Sequence, residues 1–193
     1  FNHTLNWALR LGVLIPIPAG VGLFILAGPI LTTLFEYGKF TANDTYFASL
    51  SLMAYMLGLP ALVMIKILAP GYYARQDTRT PVRIGIIAMV SNMVMNIAFV
   101  VPLVMLDYAA PHIGLALATS VSAYINAGLL YTGLRNKNIF TPQDGWQAWL
   151  FRICTGTAAM AAVVVWLNPS AAQWSQWASY DRLFNLATII LAA

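Results

Sequence analysis

The sequence predicts an all-α, polytopic transmembrane helix bundle of about six spans, the last incomplete. Three observations predict it. First, of 193 residues 60% are hydrophobic and only 8% charged, with mean hydropathy +0.73. Soluble domains carry about 25% charged residues, so this chain could not cover its surface in water, whereas in lipid it need not. Second, long apolar runs alternate with short polar loops. Third, lysine and arginine collect on every second loop, the pattern that orients a chain in a membrane. The net charge of +4 is therefore no signal of nucleic acid. The expected surroundings are membrane lipids. The single cysteine, Cys154, excludes an internal disulfide.

Phe1–Arg10 reads as a mixed lead-in at the interface, with Trp7 and Arg10. His3 has no second ligand at a useful spacing. Leu11–Phe35 is the first span. Pro16, Pro18 and Pro29 should bend it and free backbone carbonyls, giving either a bent packing helix or a hinge. Glu36–Asp44 is a short polar loop. Phe47–Pro70 is the second span, and the chain is expected to leave it through Pro70-Gly71 into a basic loop. Pro81–Leu106 holds the third span, with Asp107 in the turn after it, and His112–Leu134 is the fourth. The loop Arg135–Gly145 leads into a fifth span from Trp146 to about Leu167. Asn168–Tyr180 is polar and aromatic, with Trp174 and Trp177 expected at interface depth. Asp181 and Arg182 open a sixth span that Ala193 leaves unfinished. A start at Phe1 and a stop within an apolar run read as a piece of a longer protein.

The charge count sets the expected orientation. Arg75, Arg79 and Arg83 follow the second span, and Arg135 and Lys137 follow the fourth, while the loops after the first, third and fifth carry few basic residues or none. The second and fourth loops are then cytoplasmic, as is the amino end.

Few residues could carry chemistry. Lys66 lies within a span, where a lysine costs about 2.5–3.5 kcal/mol at the helix centre. It either snorkels to the headgroups or faces a polar cavity and binds an anion. Tyr55, Leu62, Lys66 and Tyr73 fall on one helical stripe if the helix stays regular across Pro60, which favours the cavity. Arg75, Arg79 and Arg83 are spaced four apart and would share a helix face. They either only orient the chain or grip a phosphate through their forked donors. Asp77 and Gln76 could instead hold that loop together. Asn92 and Asn96 share a face of the third span. The fourth span offers Thr119, Ser120, Ser122 and Asn126, and a small-residue row of Gly114, Ala118 and Ser122. These groups serve as interhelical hydrogen-bond contacts worth about 0.6 kcal/mol each, or as a cation site of oxygens. No nucleophile–base pair, metal-binding cluster or phosphate loop occurs in the sequence, so no enzymatic activity is expected.

The run KILAPGYYARQDTRTPVRI at Lys66–Ile84 resembles the signature of the MurJ (MviN) lipid II flippases, within the MOP exporter superfamily. LFEYGKFTAND at Leu34–Asp44, GLALATSVSAYINAGLLY at Gly114–Tyr131 and IFTPQDGW at Ile139–Trp146 agree with it. The resemblance implies a MATE-like carboxy-terminal lobe corresponding to the ninth helix through the start of the fourteenth. Residues 1–145 would be four helices of that lobe, and 146–193 the final pair, truncated, forming a groove for a lipid tail. It implies transport of lipid II, the undecaprenyl-pyrophosphate-linked peptidoglycan precursor, across the bacterial cytoplasmic membrane by alternating access. The amino-terminal lobe of the same protein would supply the rest of the cavity. On this resemblance Lys66 matches a basic position of the tenth helix; with Arg75, Arg79 and Tyr55, read from charge and spacing, it makes the expected substrate-binding set. Some members bind sodium through an Asn and an Asp four apart and a Thr on the next helix. The matching positions are Asn92, Asn96 and Thr119, where Asn96 stands in place of the acid. Another exporter of the superfamily, moving polysaccharide lipids or drugs, and a non-transporting membrane scaffold are the rival readings. A drug antiporter should carry acids within its spans, and Glu36, Asp44, Asp77, Asp107, Asp144 and Asp181 all lie in loops or at span ends.

Overall fold

A computed structural model describes residues 2–108 and 110–192, with the side chains of 171 and 172 left aside. Phe1 and Ala193, the ends of the first and last stretches above, lie outside the described residues, as does Ala109. The described residues form helices α1 (Asn2–Leu14), α2 (Pro16–Ile25), α3 (Ala27–Phe35), α4 (Ala42–Tyr73), α5 (Arg79–Met105), α6 (His112–Asn136), α7 (Trp146–Leu167), α8 (Ala171–Gln176) and α9 (Ser179–Ala192). Five helical stretches are long and apolar enough to cross a membrane: Asn2–Ile25, α4, α5, α6 and α7. The all-helical transmembrane class holds.

The expected lead-in is itself helix. Leu5, Asn6 and Leu9 are buried, so the first span begins at Asn2, well before Leu11. It then bends twice. Pro16 and Pro18 have no N–H to donate, and the helix interrupts at Ile15. Pro29 likewise leaves the Ile25 carbonyl without its helical donor, and the second bend lies at Leu26. Bonds from Ala19 N to Ile15 O and from Ile30 N to Leu26 O carry the ladder across both.

The second span is longer at both ends than its apolar run. Thr41 and Asp44 form a reciprocal capping box, with Thr41 N donating to Asp44 Oδ2 at 2.9 Å. This places the helix start at Ala42. At the other end α4 runs through Pro70-Gly71 to Tyr73. Three helices stop by the same device. Gln76, Asp107 and Asn138 adopt positive φ of 58°, 50° and 53°. Asp77 N then reaches back to Tyr72 O, Tyr108 N to Leu103 O, and Ile139 N to Leu134 O. Each is a six-to-one closure of the Schellman type, made without glycine.

The core of the bundle is the α4–α6 seam. Gly58 meets Ser120 so closely that a Cβ added there would lie 2.7 Å from Ser120 Cα. Ser120 Oγ donates to Ala54 O at 2.6 Å and Tyr124 Oη to Leu57 O at 2.9 Å. Ala61, Ala123 and Ala127 continue the contact. Tyr72, fully buried, crosses it and donates to Leu130 O at 2.8 Å over Gly133. The small-residue row read from the sequence serves a different partner. Gly114 lets α6 approach the backbone of Phe99 and Val100 on α5. Helix α6 thus carries two small-residue faces, one for each neighbour.

The amino-terminal helix is held at both ends. Buried Asn6 donates to Thr141 O at 3.0 Å and accepts from Gln143 N and Trp146 Nε1, both at 3.2 Å. Helices α7 and α9 pack against α2 and α3. Trp174, expected at the interface, is 1% exposed and packs with Leu26, Val164, Leu186 and Ile189.

Replacing Gly58 with leucine should destabilise the bundle by about 1–3 kcal/mol through overpacking. Gly85→Ala should cost nothing, because an added Cβ at that position meets open space. Thermal unfolding of the two purified variants in detergent measures the contrast.

Candidate functional site

Because α4 is one regular helix, the predicted stripe forms. Tyr55, Leu62, Lys66 and Tyr73 are all exposed and spaced by about two turns or fewer. Helix α6 covers a flanking side of α4, where Ala54, Gly58, Ala61, Leu68 and Tyr72 are buried, and α1 and α2 pack on α4 as well. No hydrogen bond or ion pair to Lys66 occurs among the described residues. Its distance from the helix end differs from the expectation. With α4 ending at Tyr73 rather than at Pro70, Lys66 lies about 10 Å in from the end at 1.5 Å per residue. Tyr55 sits near the middle of α4, beside Ser51 and His112, which together help line a cavity of about 570 Å³.

The three arginines do not share one face. The helix breaks between Tyr73 and Arg79, so Arg75 lies in the turn while Arg79 and Arg83 open α5. All three are exposed. Asp77 organises the turn. Its carboxylate accepts from Thr80 N at 3.0 Å, from Thr80 Oγ1 at 2.7 Å and from Lys137 Nζ at 2.7 Å. Lys137 also lies over the Tyr72 ring, 5.6 Å from its centroid. The α4–α5 turn is thereby tied to the end of α6. The Lys137 and Thr80 donors hold the Asp77 carboxyl well below the usual carboxylate range.

Asn92, Asn96 and Thr119 come together between α5 and α6. Asn92 Nδ2 lies 3.5 Å from Thr119 Oγ1 and 3.3 Å from Ser122 Oγ, and Asn96 Nδ2 donates to Asn92 Oδ1 at 3.1 Å. Asn96 Oδ1 is buried without a partner. Thr119 and Ser122 spend their own protons on Leu115 O and Thr119 O. Their oxygens are therefore free to accept. The three residues expected to meet do meet, and Ser122, one of the fourth-span groups offered for interhelical bonding, is the direct partner of Asn92.

Arg182 was read only as the opening of a span. It is a buried guanidinium that donates to Thr32 O at 3.0 Å, Ser175 O at 2.8 Å and Trp177 O at 3.0 Å. Glu36 Oε1 stands 3.7 Å away, and Tyr37 offers its ring face. The signal that could have found it is a basic residue opening an apolar run beside a helix C-terminus, where a cation is favoured.

With this geometry in view, the likeness to known proteins is specific. A family profile described as "Lipid II flippase MurJ" matches residues 1–186. The chain belongs to the lipid II flippase MurJ family. It is 42% identical over 192 residues to a Vibrio cholerae protein named "Probable lipid II flippase MurJ", covering 98% of this chain and 35% of that one. A Haemophilus influenzae protein of the same name is 41% identical, covering 100% and 36%. A Burkholderia cenocepacia "Lipid II flippase MurJ" is 37% identical over 166 residues, covering 86% and 31%. A solved structure, "Lipid II flippase MurJ, inward closed conformation", superposes with TM-score 0.76 at 30% identity, over 99% of this chain and 37% of its own. The chain thus spans about a third of the length of these relatives.

The Asp77 tie makes a pH prediction. A carboxyl with a depressed folded-state pKa contributes stability above its unfolded value and loses it as pH falls through the folded one. The stability gap between wild type and Asp77→Ala should therefore hold from neutral pH down to the ordinary carboxylate range. It should close only below that range. Detergent-phase thermal unfolding across pH checks it.

Proposed function

We propose that this chain is the carboxy-terminal part of a transporter that moves lipid II across the bacterial cytoplasmic membrane by alternating access. Membership of the MurJ family supports the substrate class. The observation that carries the reading at residue level is the uncovered α4 stripe, with Lys66 exposed and unpaired about 10 Å inside a span. An unpaired intramembrane lysine is expensive in hydrocarbon, so a polar path against this face explains it. In this reading the amino-terminal lobe of the same protein supplies the facing wall, Lys66 draws the pyrophosphate of the substrate, and Tyr55 lines the path beside it. Arg75 and Arg79 meet the headgroup at the cytoplasmic mouth, consistent with the orientation from the basic loops. The pair α7 and α9 forms a unit that faces the lipid tail, and residues 1–145 form the lobe that rocks. The bends at Ile15 and Leu26 supply places where it can flex.

A sodium ion fits the α5–α6 cluster chemically. Asn96 Oδ1, Thr119 Oγ1 and the Ser122 hydroxyl are oxygen donors with spare lone pairs, and Asn96 Oδ1 is buried and otherwise orphaned. With amides in place of a carboxylate the site would be weak, since hard cations favour charged oxygen ligands.

The test uses cells depleted of their own flippase and supplied with the full-length protein. Lipid II reaching the outer leaflet is cleaved by an added external enzyme. Wild type should restore accessibility, and Lys66→Ala at equal expression should lose most of it. Full accessibility in Lys66→Ala would remove Lys66 from the path. No restoration by well-inserted wild type would overturn the substrate.

A further inference from the structure

A second groove shares no residue with the Lys66 stripe. It runs between the first bend and α7, has a volume of about 440 Å³, and is walled by Leu14, Pro18, Trp149, Arg152, Gly156 and Thr157 among others. Four observations meet there. Arg152 is the one charged residue in its wall, and its guanidinium makes no hydrogen bond or ion pair among the described residues. Thr157 is 8% exposed, and its Oγ1 is buried with no partner. Pro18 has no N–H for the Leu14 carbonyl four residues before it, so the wall also holds a helical acceptor without its usual donor. Finally, Gly156 stands at the groove with nothing within 4 Å of where a Cβ would be. The glycine leaves that space open.

Position says what would fill it. Arg152 is six residues into α7, about 9 Å from the helix start. Trp149 lies between, at the depth where indole rings favour the interface. Helix α7 packs mainly on α2 and α9, and Arg152 and Gly156 are exposed, so the groove opens sideways toward hydrocarbon. An occupant must then be apolar along most of its length and anionic at the level of Arg152. It must also offer an acceptor or a donor to the Thr157 hydroxyl. We propose that this groove binds a phospholipid of the surrounding bilayer, with its phosphate on Arg152, its ester region at Thr157 and an acyl chain along Gly156. The forked guanidinium suits a phosphate, and the low-dielectric wall strengthens the contact. The site is a lipid site of the fold, distinct from the α4 stripe, and the proposal does not depend on the substrate assigned to that stripe.

Photoactivatable phosphatidylglycerol in vesicles holding the full-length protein tests it, read as labelling of residues 146–167. A diacylglycerol probe with the same chains and no phosphate is the control. Phosphatidylglycerol should label this segment and diacylglycerol should not. Labelling should fall about fivefold in Arg152→Gln, the factor one basic residue near an anionic head contributes. It should survive in Arg152→Lys and vanish in Gly156→Phe, which fills the groove. Equal labelling by diacylglycerol, or an unchanged yield in Arg152→Gln, would overturn the proposal. So would displacement of the label by an equimolar prenyl pyrophosphate, which would make the groove part of the substrate path.

Discussion

The close approach of α4 and α6 is the constraint on which the rest depends. In lipid no hydrophobic force drives two helices together, so contact must come from packing and short polar bonds. Gly58 against Ser120 allows the backbones to touch, and the alanines Ala61, Ala123 and Ala127 keep them close. Once α6 lies on that face of α4, its second small face can take α5 through Gly114. The arrangement covers one side of α4 and leaves the Tyr55–Tyr73 side open. The uncovered stripe is thus a consequence of where the glycine and alanines fall.

The same seam resolves the proline problem. Pro60 removes the donor that Met56 O would have used, yet α4 stays helical through it. Its neighbours supply the compensation. A Cβ at Gly20 would lie 3.3 Å from Met56 O, so glycine there lets α2 come up against the freed carbonyl. Ser120 and Tyr124 of α6 donate to Ala54 O and Leu57 O on either side of it. Adjoining helices thus brace α4 on both sides of the freed carbonyl, the setting in which a membrane helix tolerates proline. Arg182 plays a corresponding part for the carboxyl end of α3. It satisfies several carbonyls at once, and those bonds offset the cost of burying its charge.

Much of the fold was legible because apolar runs and loop charge carry it. The third, fourth and fifth spans fell within a few residues of α5, α6 and α7. The errors have physical causes. Phe1–Arg10 read as interfacial on Trp7 and Arg10, but Asn6 and Arg10 find their partners Thr141, Gln143 and Asp144 more than 130 residues away. The end of α4 was misplaced because Pro70-Gly71 reads as a stop. The true stop is a left-handed glutamine at position 76, which sequence reading does not favour. Trp174 looked like an interfacial anchor, and only the return of α9 buries it. At the site, Lys66 and the Asn92–Asn96–Thr119 grouping followed from helical spacing. Arg182 did not, because its hydrogen-bond partners are mostly backbone carbonyls and its ion-pair partner Glu36 is far away in sequence.

The basic residues sort themselves by what they touch. Lys137 is tied to Asp77, Arg182 to the end of α3, and Arg10 to Asp144 O with its guanidinium over the Trp146 ring. Each of these joins two segments that are distant in sequence, and structure alone accounts for it. Arg75, Arg79 and Arg83 are exposed at a loop, where orienting the chain is reason enough for their charge. Lys66 and Arg152 belong to neither group. Both lie within spans, and neither holds the fold together. Both stand on faces that this chain leaves open. A cation held within a span is costly, and on both proposals its counter-charge comes from outside the chain. The two sit on different helices and on grooves that do not meet, so one ligand cannot answer both. On the two proposals together, the fold serves two anionic lipids in distinct roles, one passing along α4 and one resident against α7.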